Sequence, residues 1–234
     1  MRNNEPSLVE ARGRLGLLSN SLPVAVDPAV ISLVAKTPTT ALVYRAAQAW
    51  RMEEFARCAC DTFERGDLVV AASNTRHAAE CCAGVWYLYS LLEKAIADPA
   101  LVDETHEKIV RLTVGYKMKL GEGMPEAINA LTMVKKLDEI IPGYFGGYER
   151  LSEIAHPNWS GSAAIFSHRD DKTLITHFGR GLRDTKNSER LVLNCLIGAV
   201  ELFGHAFNKI DDIKRDYVAV CEADIIKRES AGLA

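Results

Sequence analysis

Apolar residues recur at helical spacing through most of the chain. Between residues 80 and 97, Cys81, Val85, Leu88, Leu92 and Ile96 follow one another at intervals of four, three, four and four. This spacing places the five side chains along one face of an α-helix. The pattern therefore predicts a mainly α-helical protein in which long helices bury one face against a common core.

Glycine, proline and acidic residues divide the helical pattern into segments. Gly66 marks the end of the first long helix, and Asp98-Pro99 opens the third, because proline fits the first turn of a helix. Pro157 ends the fifth, since proline cannot donate a backbone hydrogen bond and disfavours helical geometry in the residue before it. The predicted helices cover residues 37–65, 67–97, 98–121, 126–141 and a segment that stops at 155–156.

The spacing of apolar residues changes from helical to strand-like after Pro157. Residues 162–168 and 173–178 are short β-type segments on either side of the polar residues 169–172, which predicts a two-stranded hairpin at about 162–178. A lone hairpin is only marginally stable, so it is expected to lie against the helices. His168 and His177 then fall at opposite ends of the hairpin, and no shared metal site is predicted there.

A last helix is predicted from about residue 187 to residue 227. Its apolar residues alternate at spacings of three and four, which is typical of a long packing seam. They include Leu193, Leu196, Val200, Phe203, Phe207 and Ile210. We expect this helix to serve both as the spine of a helical bundle and as half of a homodimer interface. No repeat or linker divides the chain, so 37–230 is interpreted as one bundle domain and 1–36 as an N-terminal arm or short helix.

Composition narrows the class of protein. Apolar residues make up 48% and charged residues 25%, as in ordinary soluble globular proteins. The net charge of −3 argues against a generally basic nucleic-acid-binding surface, so any such contact would be a local patch. The six cysteines form no CxxC pair, which favours reduced thiols in the cytoplasm. No signal peptide, membrane span, metal site or cofactor is predicted.

The end of the fifth helix carries the candidate chemistry. Arg150 and His156 lie six positions apart, and the break at Pro157 leaves His156 beside a loop that a ligand can reach. Cleaving RNA without a metal requires a group that accepts a proton, a group that donates one and a cation for the phosphate. Histidine titrates near neutral pH, and arginine holds phosphate with a planar fork of donors.

Helical geometry limits how the pair could act. Six residues separate two side chains by about 120° around the helix axis and by about 9 Å along it. Arg150 and His156 therefore converge only if the helix end unwinds or if a second copy of the chain supplies one member. The structural alternatives are that His156 bonds Glu80 or Glu153 or completes a helix C-cap, and that Arg150 pairs with Glu149 or Glu153.

Further polar residues are candidates for supporting or binding roles. Arg76 and Glu80, one turn apart, are interpreted as an ion pair that braces neighbouring helices. Asn158 and Trp159 would shape the loop after the motif, and Trp159 could also stack on a base. A basic cluster precedes the last helix, where anions bind readily, although a solvated surface is the plainer interpretation. Its arginines are Arg180, Arg183 and Arg190.

The segment Arg150-Leu-Ser-Glu-Ile-Ala-His156 within a helical bundle resembles the R-x(4–6)-H motif of the HEPN superfamily. The longer text LSEIAHPN, together with Arg76 and Glu80 on an earlier helix, is similar to a bacterial branch of HEPN-like proteins. The resemblance implies a metal-independent endoribonuclease of the toxin or defence type, with Arg150 as the phosphate-binding cation and His156 as the catalytic imidazole. It also implies a homodimer in which two motifs line one cleft. The alternative is a non-catalytic dimeric module that binds a nucleotide or a protein.

Overall fold

Helices dominate the computed structural model, which describes residues 5–118 and 123–231. A 3-10 turn (Pro99–Leu101) precedes α5, and two short antiparallel strands precede α9, β1 (Ser167–Arg169) and β2 (Thr176–Phe178). The α-helices are α1 (Leu8–Asn20), α2 (Pro28–Ile31), α3 (Lys36–Glu64), α4 (Leu68–Ala97), α5 (Val102–Val114), α6 (Ala130–Asp138), α7 (Tyr144–Ala155), α8 (Ala163–Phe166) and α9 (Lys186–Ser230). The predicted class is confirmed: a mainly helical fold with a small hairpin before a long C-terminal helix.

α4 is the central helix of the bundle. Its most extensive contacts are with α3 and α9. It also packs against α6 and α7. The predicted apolar stripe is buried, because Cys81, Val85, Leu88 and Leu92 are almost completely shielded from solvent. Burying aliphatic side chains of this size stabilises the fold by about 1.5–3 kcal/mol each. α4 therefore organises the positions of its neighbours, including α7.

α9 runs along α4 as the predicted spine. Leu196, Phe203 and Ile210 are buried in the same core as α4. By length and composition alone, α9 is also apolar enough to cross a membrane, and it is the one helix among the described residues that meets this criterion. Core helices of soluble proteins meet it as well, and part of the apolar surface of α9 packs against α4.

The N-terminal segment supplies a packed helix. α1 lies against α3 and α9 and buries Ala11 and Leu15 in the main core. Arg12 ties it to α3 through ion pairs with Asp61 (3.0 Å) and Glu64 (2.6 Å). Of the two interpretations of residues 1–36, arm or short helix, residues 8–20 adopt the helix.

Two predicted helices are shorter than expected. α5 ends at Val114, because the backbone of Gly115 is extended and Tyr116 then bonds the backbone of Pro125 (3.0 Å) and Ala127 (3.1 Å). A Cβ on Gly115 would lie 2.7 Å from the Cα of Ala127, so glycine fits this close approach. The expected end at residue 121 lies outside the described residues. α6 begins only at Ala130, where the side chain of Asn129 accepts a hydrogen bond from the N–H of Leu131 (2.9 Å).

The hairpin differs most from its prediction. Residues 163–166 form α8 instead of a strand, and each strand has three residues. The turn is longer than the predicted 169–172, because Asp170 accepts hydrogen bonds from the N–H groups of Lys172 and Thr173 and the strands resume only after residue 175. The expectation that His168 and His177 lie at opposite ends was wrong, since the register places them directly opposite each other.

Candidate functional site

The start of α7 is fixed by a single carboxylate. Asp138 Oδ1 accepts hydrogen bonds from the N–H groups of Gly143 (3.0 Å) and Phe145 (2.9 Å). Gly143 has a φ of 94°, a left-handed conformation that glycine adopts without the penalty of a Cβ. These contacts therefore fix the orientation of α7 relative to the end of α6.

The inner face of α7 holds it on α4. Tyr148, Leu151 and Ile154 are buried on this face. The hydroxyl of Tyr144 donates to the carbonyl oxygen of Ala79 (2.8 Å), which adds a polar tie to the apolar contact. The remaining face of α7 is left to solvent, and it carries the motif.

A closed polar cluster links α7 to α4. The hydroxyl of Tyr148 donates to Glu80 Oε1 (2.8 Å) and accepts from Arg76 Nε (3.2 Å). Arg76 Nη2 also lies 3.1 Å from Glu80 Oε1. The side chains of Arg76 and Glu80 are only 27% and 15% exposed, and burial raises the pKa of Tyr148. The Arg76–Glu80–Tyr148 cluster thus braces the two helices.

The last turn of α7 ends where the proline predicted it would. His156 is the C-cap residue, with extended backbone angles (φ −81°, ψ 150°), and its N–H still donates to the carbonyl oxygen of Ser152 (2.9 Å). His156 and Arg150 are both exposed. Within residues 5–118 and 123–231, neither side chain forms a hydrogen bond or an ion pair, and the expected partners Glu80 and Glu153 bond other groups.

The loop after His156 is braced from both sides. Asn158 Nδ2 donates to Glu153 Oε2 (2.6 Å), and Asn158 Oδ1 accepts from the N–H of Gly161 (3.1 Å). A Cβ on Gly161 would lie 2.1 Å from the carbonyl oxygen of His156. Only glycine fits this approach, so Gly161 positions the backbone of His156, a role that nothing in the sequence pattern indicated.

Arg150 and His156 occupy different parts of the outer face. Arg150 lies toward α9, where burial raises the pKa of Cys195 to about 11 and the positive charge of Arg150 opposes that shift. His156 lies where the chain leaves the helix. At about 100° per residue, Glu149 and Glu153 fall between them on the exposed side. Two carboxylates therefore separate the guanidinium from the imidazole within one copy of the chain.

The four motif-related residues do not share one site. Arg76 and Glu80 are hydrogen-bonded to Tyr148 on the inner face of α7. Arg150 and His156 lie on the outer face. The sequence indicated the Arg76–Glu80 pair but not the part played by Tyr148. A tyrosine on the apolar face of α7 was the one feature that could have indicated a buried polar contact there. Trp159, in the loop three residues after His156, is 66% exposed.

The basic residues just before α9 and in its first two turns, where Arg190 lies, are engaged by neighbouring groups. The N-terminus of α9 has a carboxylate of its own, because the N–H of Lys186 donates to Asp184 Oδ1 (3.0 Å). An anion would have to displace these partners. The contacts of the segment are Arg180 with Asp67 (2.8 Å), Arg190 with Glu5 (2.5 Å), and Arg183 Nε donating to the carbonyl oxygen of Ser167 (2.6 Å).

The most deeply buried thiols are poorly suited to nucleophilic chemistry. The six cysteines are unpaired, and burial raises the pKa of Cys81 and Cys82 to about 12. Thiols with such pKa values carry almost no thiolate at neutral pH and are poor nucleophiles. In the part of the chain that the structure describes, no group of three or more His, Cys, Asp and Glu residues could hold a metal ion.

Comparison of the chain with protein-family models, curated proteins and solved structures gave no match. The chemistry of this surface therefore has to be judged from the positions and partners of its own side chains.

Proposed function

We propose that the protein is a HEPN-like, cytoplasmic RNA-binding protein whose Arg150 and His156 cleave RNA without a metal ion, in a toxin or defence role. The observation that supports it best is that one short helix presents an exposed guanidinium at Arg150 and an exposed imidazole at its C-cap, His156. Neither has a side-chain partner among the described residues. The arginines of the basic segment, in contrast, already contact carboxylates or a carbonyl.

Each group has a definite role in the cleavage. An imidazole accepts the proton of a 2′-hydroxyl, and the 2′-oxygen attacks the adjacent phosphorus. The bond from phosphorus to the 5′-oxygen breaks, the leaving oxygen takes up a proton, and the products are a 2′,3′-cyclic phosphate and a 5′-hydroxyl. Arg150 binds the non-bridging oxygens, where negative charge grows in the transition state.

A homodimer removes the difficulty that one copy presents. Glu149 and Glu153 lie between Arg150 and His156 on a single α7. If two α7 helices meet about a two-fold axis, Arg150 of one copy can face His156 of the other, and two imidazoles can share the proton transfers. Trp159, exposed in the loop after His156, would stack on a base of the bound strand.

Cleavage of labelled RNA in EDTA tests the proposal. The wild-type chain should cleave, and His156→Ala and Arg150→Ala should each lower the rate by about a hundredfold or more, since one general acid or base contributes about 10²–10⁴-fold and one donor to transition-state charge about 10²–10³-fold. His106→Ala is the matched control, because His106 is an exposed histidine on α5 whose side chain, among the described residues, bonds Thr37 alone (2.7 Å). No cleavage by the wild type, or equal rates in all variants, removes the enzyme claim.

A non-catalytic dimeric module that binds a nucleotide or a protein is the second candidate. The observation that favours it is the exposed apolar surface on the segment that follows the motif, where Trp159 and Phe178 are 66% and 78% exposed. Large exposed aromatic residues are typical of binding surfaces. This candidate predicts a dimer or complex that Phe178→Ser weakens in sedimentation velocity, with no RNA cleavage by the wild type.

A further inference from the structure

The hairpin brings two histidines together. His168 on β1 pairs with His177 on β2, and the flanking bonds fix this register: Gly179 N–H to the carbonyl oxygen of Phe166 (2.9 Å) and Asp170 N–H to that of Ile175 (2.9 Å). Directly opposite residues in an antiparallel pair point to the same side of the sheet, with Cβ atoms about 4.5–5.5 Å apart. The two imidazoles are therefore neighbours.

Both histidines face solvent. His168 and His177 are exposed, whereas Ser167, the preceding residue on β1, is buried and donates to the carbonyl oxygen of Ala163 (2.8 Å). The alternation along the strand thus directs Ser167 to the protein and His168 away from it. Within the described residues, neither imidazole forms a hydrogen bond or an ion pair, so its nitrogens are available to a ligand.

The backbone that carries the pair is held at the turn and at the strand. Asp170 Oδ1 accepts from the N–H groups of Lys172 (2.8 Å) and Thr173 (2.9 Å), and these bonds lower the pKa of Asp170. Arg183 Nε donates to the carbonyl oxygen of Ser167 (2.6 Å), which ties β1 to the segment before α9. Ligands on a backbone held in this way lose little freedom when they bind an ion.

Two adjacent imidazoles match a particular class of ion. Imidazole nitrogen suits zinc, copper and nickel, while magnesium prefers carboxylate, carbonyl and water oxygens. Two metal–nitrogen bonds of about 2.0–2.1 Å bring the ligand nitrogens about 3 Å apart, within reach of rings whose Cβ atoms are about 5 Å apart. No third His, Cys, Asp or Glu completes a cluster in the described chain, so water would fill the other positions.

We propose that His168 and His177 form a two-imidazole site for a divalent first-row transition metal ion on the outer side of the hairpin. The site is separate from Arg150 and His156 and does not depend on the proposed ribonuclease activity. Because solvent occupies the remaining coordination positions, the ion stays open to exchange and to a further ligand.

Calorimetric titration of the metal-free full chain with copper(II), nickel(II) or magnesium tests the site. Copper and nickel should bind with a stoichiometry of one, copper more tightly, and magnesium should not bind. His168→Ala and His177→Ala should each weaken binding at least tenfold, since loss even of a supporting partner costs about 10–100-fold in metal affinity. His106→Ala, which changes a histidine elsewhere, should leave the affinity unchanged.

A second measurement guards against a variant that alters the hairpin itself. In the wild-type protein, substoichiometric copper(II) should broaden the amide NMR signals of residues 167–169 and 176–178 before any others. Broadening centred elsewhere, or single variants that bind metal as the wild type does, would overturn the proposal.

Discussion

The two sides of α7 show how differently polar residues of one short helix can be used. On the inner side, Tyr148 closes a cluster with Arg76 and Glu80, and each group has a partner. On the outer side, Arg150 and His156 are exposed and have no side-chain partner among the described residues. A polar group whose hydrogen bonds are satisfied inside the protein stabilises the fold, whereas an exposed, unpaired one is free to bind a ligand. We therefore propose that the inner side serves the architecture and that the outer side carries the chemistry.

A conservative change on the outer side should have a large effect on RNA cleavage. Arg150→Lys keeps the positive charge but loses the planar fork that binds phosphate oxygens in pairs. A hydrogen bond to a charged group contributes about 1.5–3 kcal/mol, so cleavage should slow about ten- to a hundredfold. The melting temperature should stay unchanged, and calorimetry beside the RNA assay checks both. A variant with full activity would show that the fork plays no part.

On the inner side the expected effect is on stability. Glu80→Ala leaves the charge of Arg76 and the hydroxyl of Tyr148 without their acceptor, which should lower the free energy of unfolding by about 3 kcal/mol. Urea denaturation measures this value. Glu149→Ala is the control, since a change at an exposed glutamate on the outer side should stay within about 0.5 kcal/mol. Equal losses in the two variants would contradict the division between the sides.

Gly161→Ala tests how the outer side is positioned. The added Cβ would meet the carbonyl oxygens of His156 (2.1 Å) and Ile154 (2.4 Å), so the backbone has to move. Forcing atoms into a filled space costs about 1–3 kcal/mol, and the free energy of unfolding should fall by about 2 kcal/mol. RNA cleavage should fall as well because His156 shifts. A variant as active as the wild type would show that the loop does not position the imidazole.

Tyr148→Phe should have a smaller effect on the inner side. It removes one hydroxyl from the cluster, while the bond between Arg76 and Glu80 remains, so unfolding should become easier by about 1 kcal/mol. The double variant Tyr148→Phe/Glu80→Ala should lose less unfolding free energy than the two single variants lose together, because the residues share one network. Fully additive losses would show that the three groups do not act together.

The smallest effect should come from the carboxylates between the outer pair. Glu149→Gln removes a negative charge beside Arg150, and exposed charge pairs are worth about 0.2–1 kcal/mol. Single-stranded RNA should therefore bind about two- to threefold more tightly in fluorescence anisotropy at low salt. Weaker binding would argue that RNA approaches from another side of the protein.

Regular packing was predictable from the sequence, and long-range contacts were not. The stripe on α4 and the end of α7 at Pro157 follow from local rules of periodicity and of proline geometry. The tie from Tyr148 to Arg76 joins residues 72 positions apart, and no local pattern specifies such a pairing. Glycine is required at position 161 because two segments of backbone approach closely there, and a single sequence does not reveal such an approach.

The prediction of the strand pairing in the hairpin was wrong for a related reason. Moving the turn by a few residues changes which side chains are opposite each other, and the side-chain bonds of Asp170 decide where the turn lies. A pattern of short β-type segments locates the hairpin, but the pairing of His168 with His177 depends on those bonds.

The most direct test of the account is the NMR signal of the His156 imidazole during titration with a single-stranded RNA oligonucleotide, in wild-type protein and in Arg150→Ala. The account predicts that this signal moves in the wild type, that it moves far less in the variant, and that the signals of Tyr148 stay in place. An RNA that binds without moving the His156 signal, or that moves it equally without Arg150, would contradict the assignment of the outer side of α7 as the functional surface.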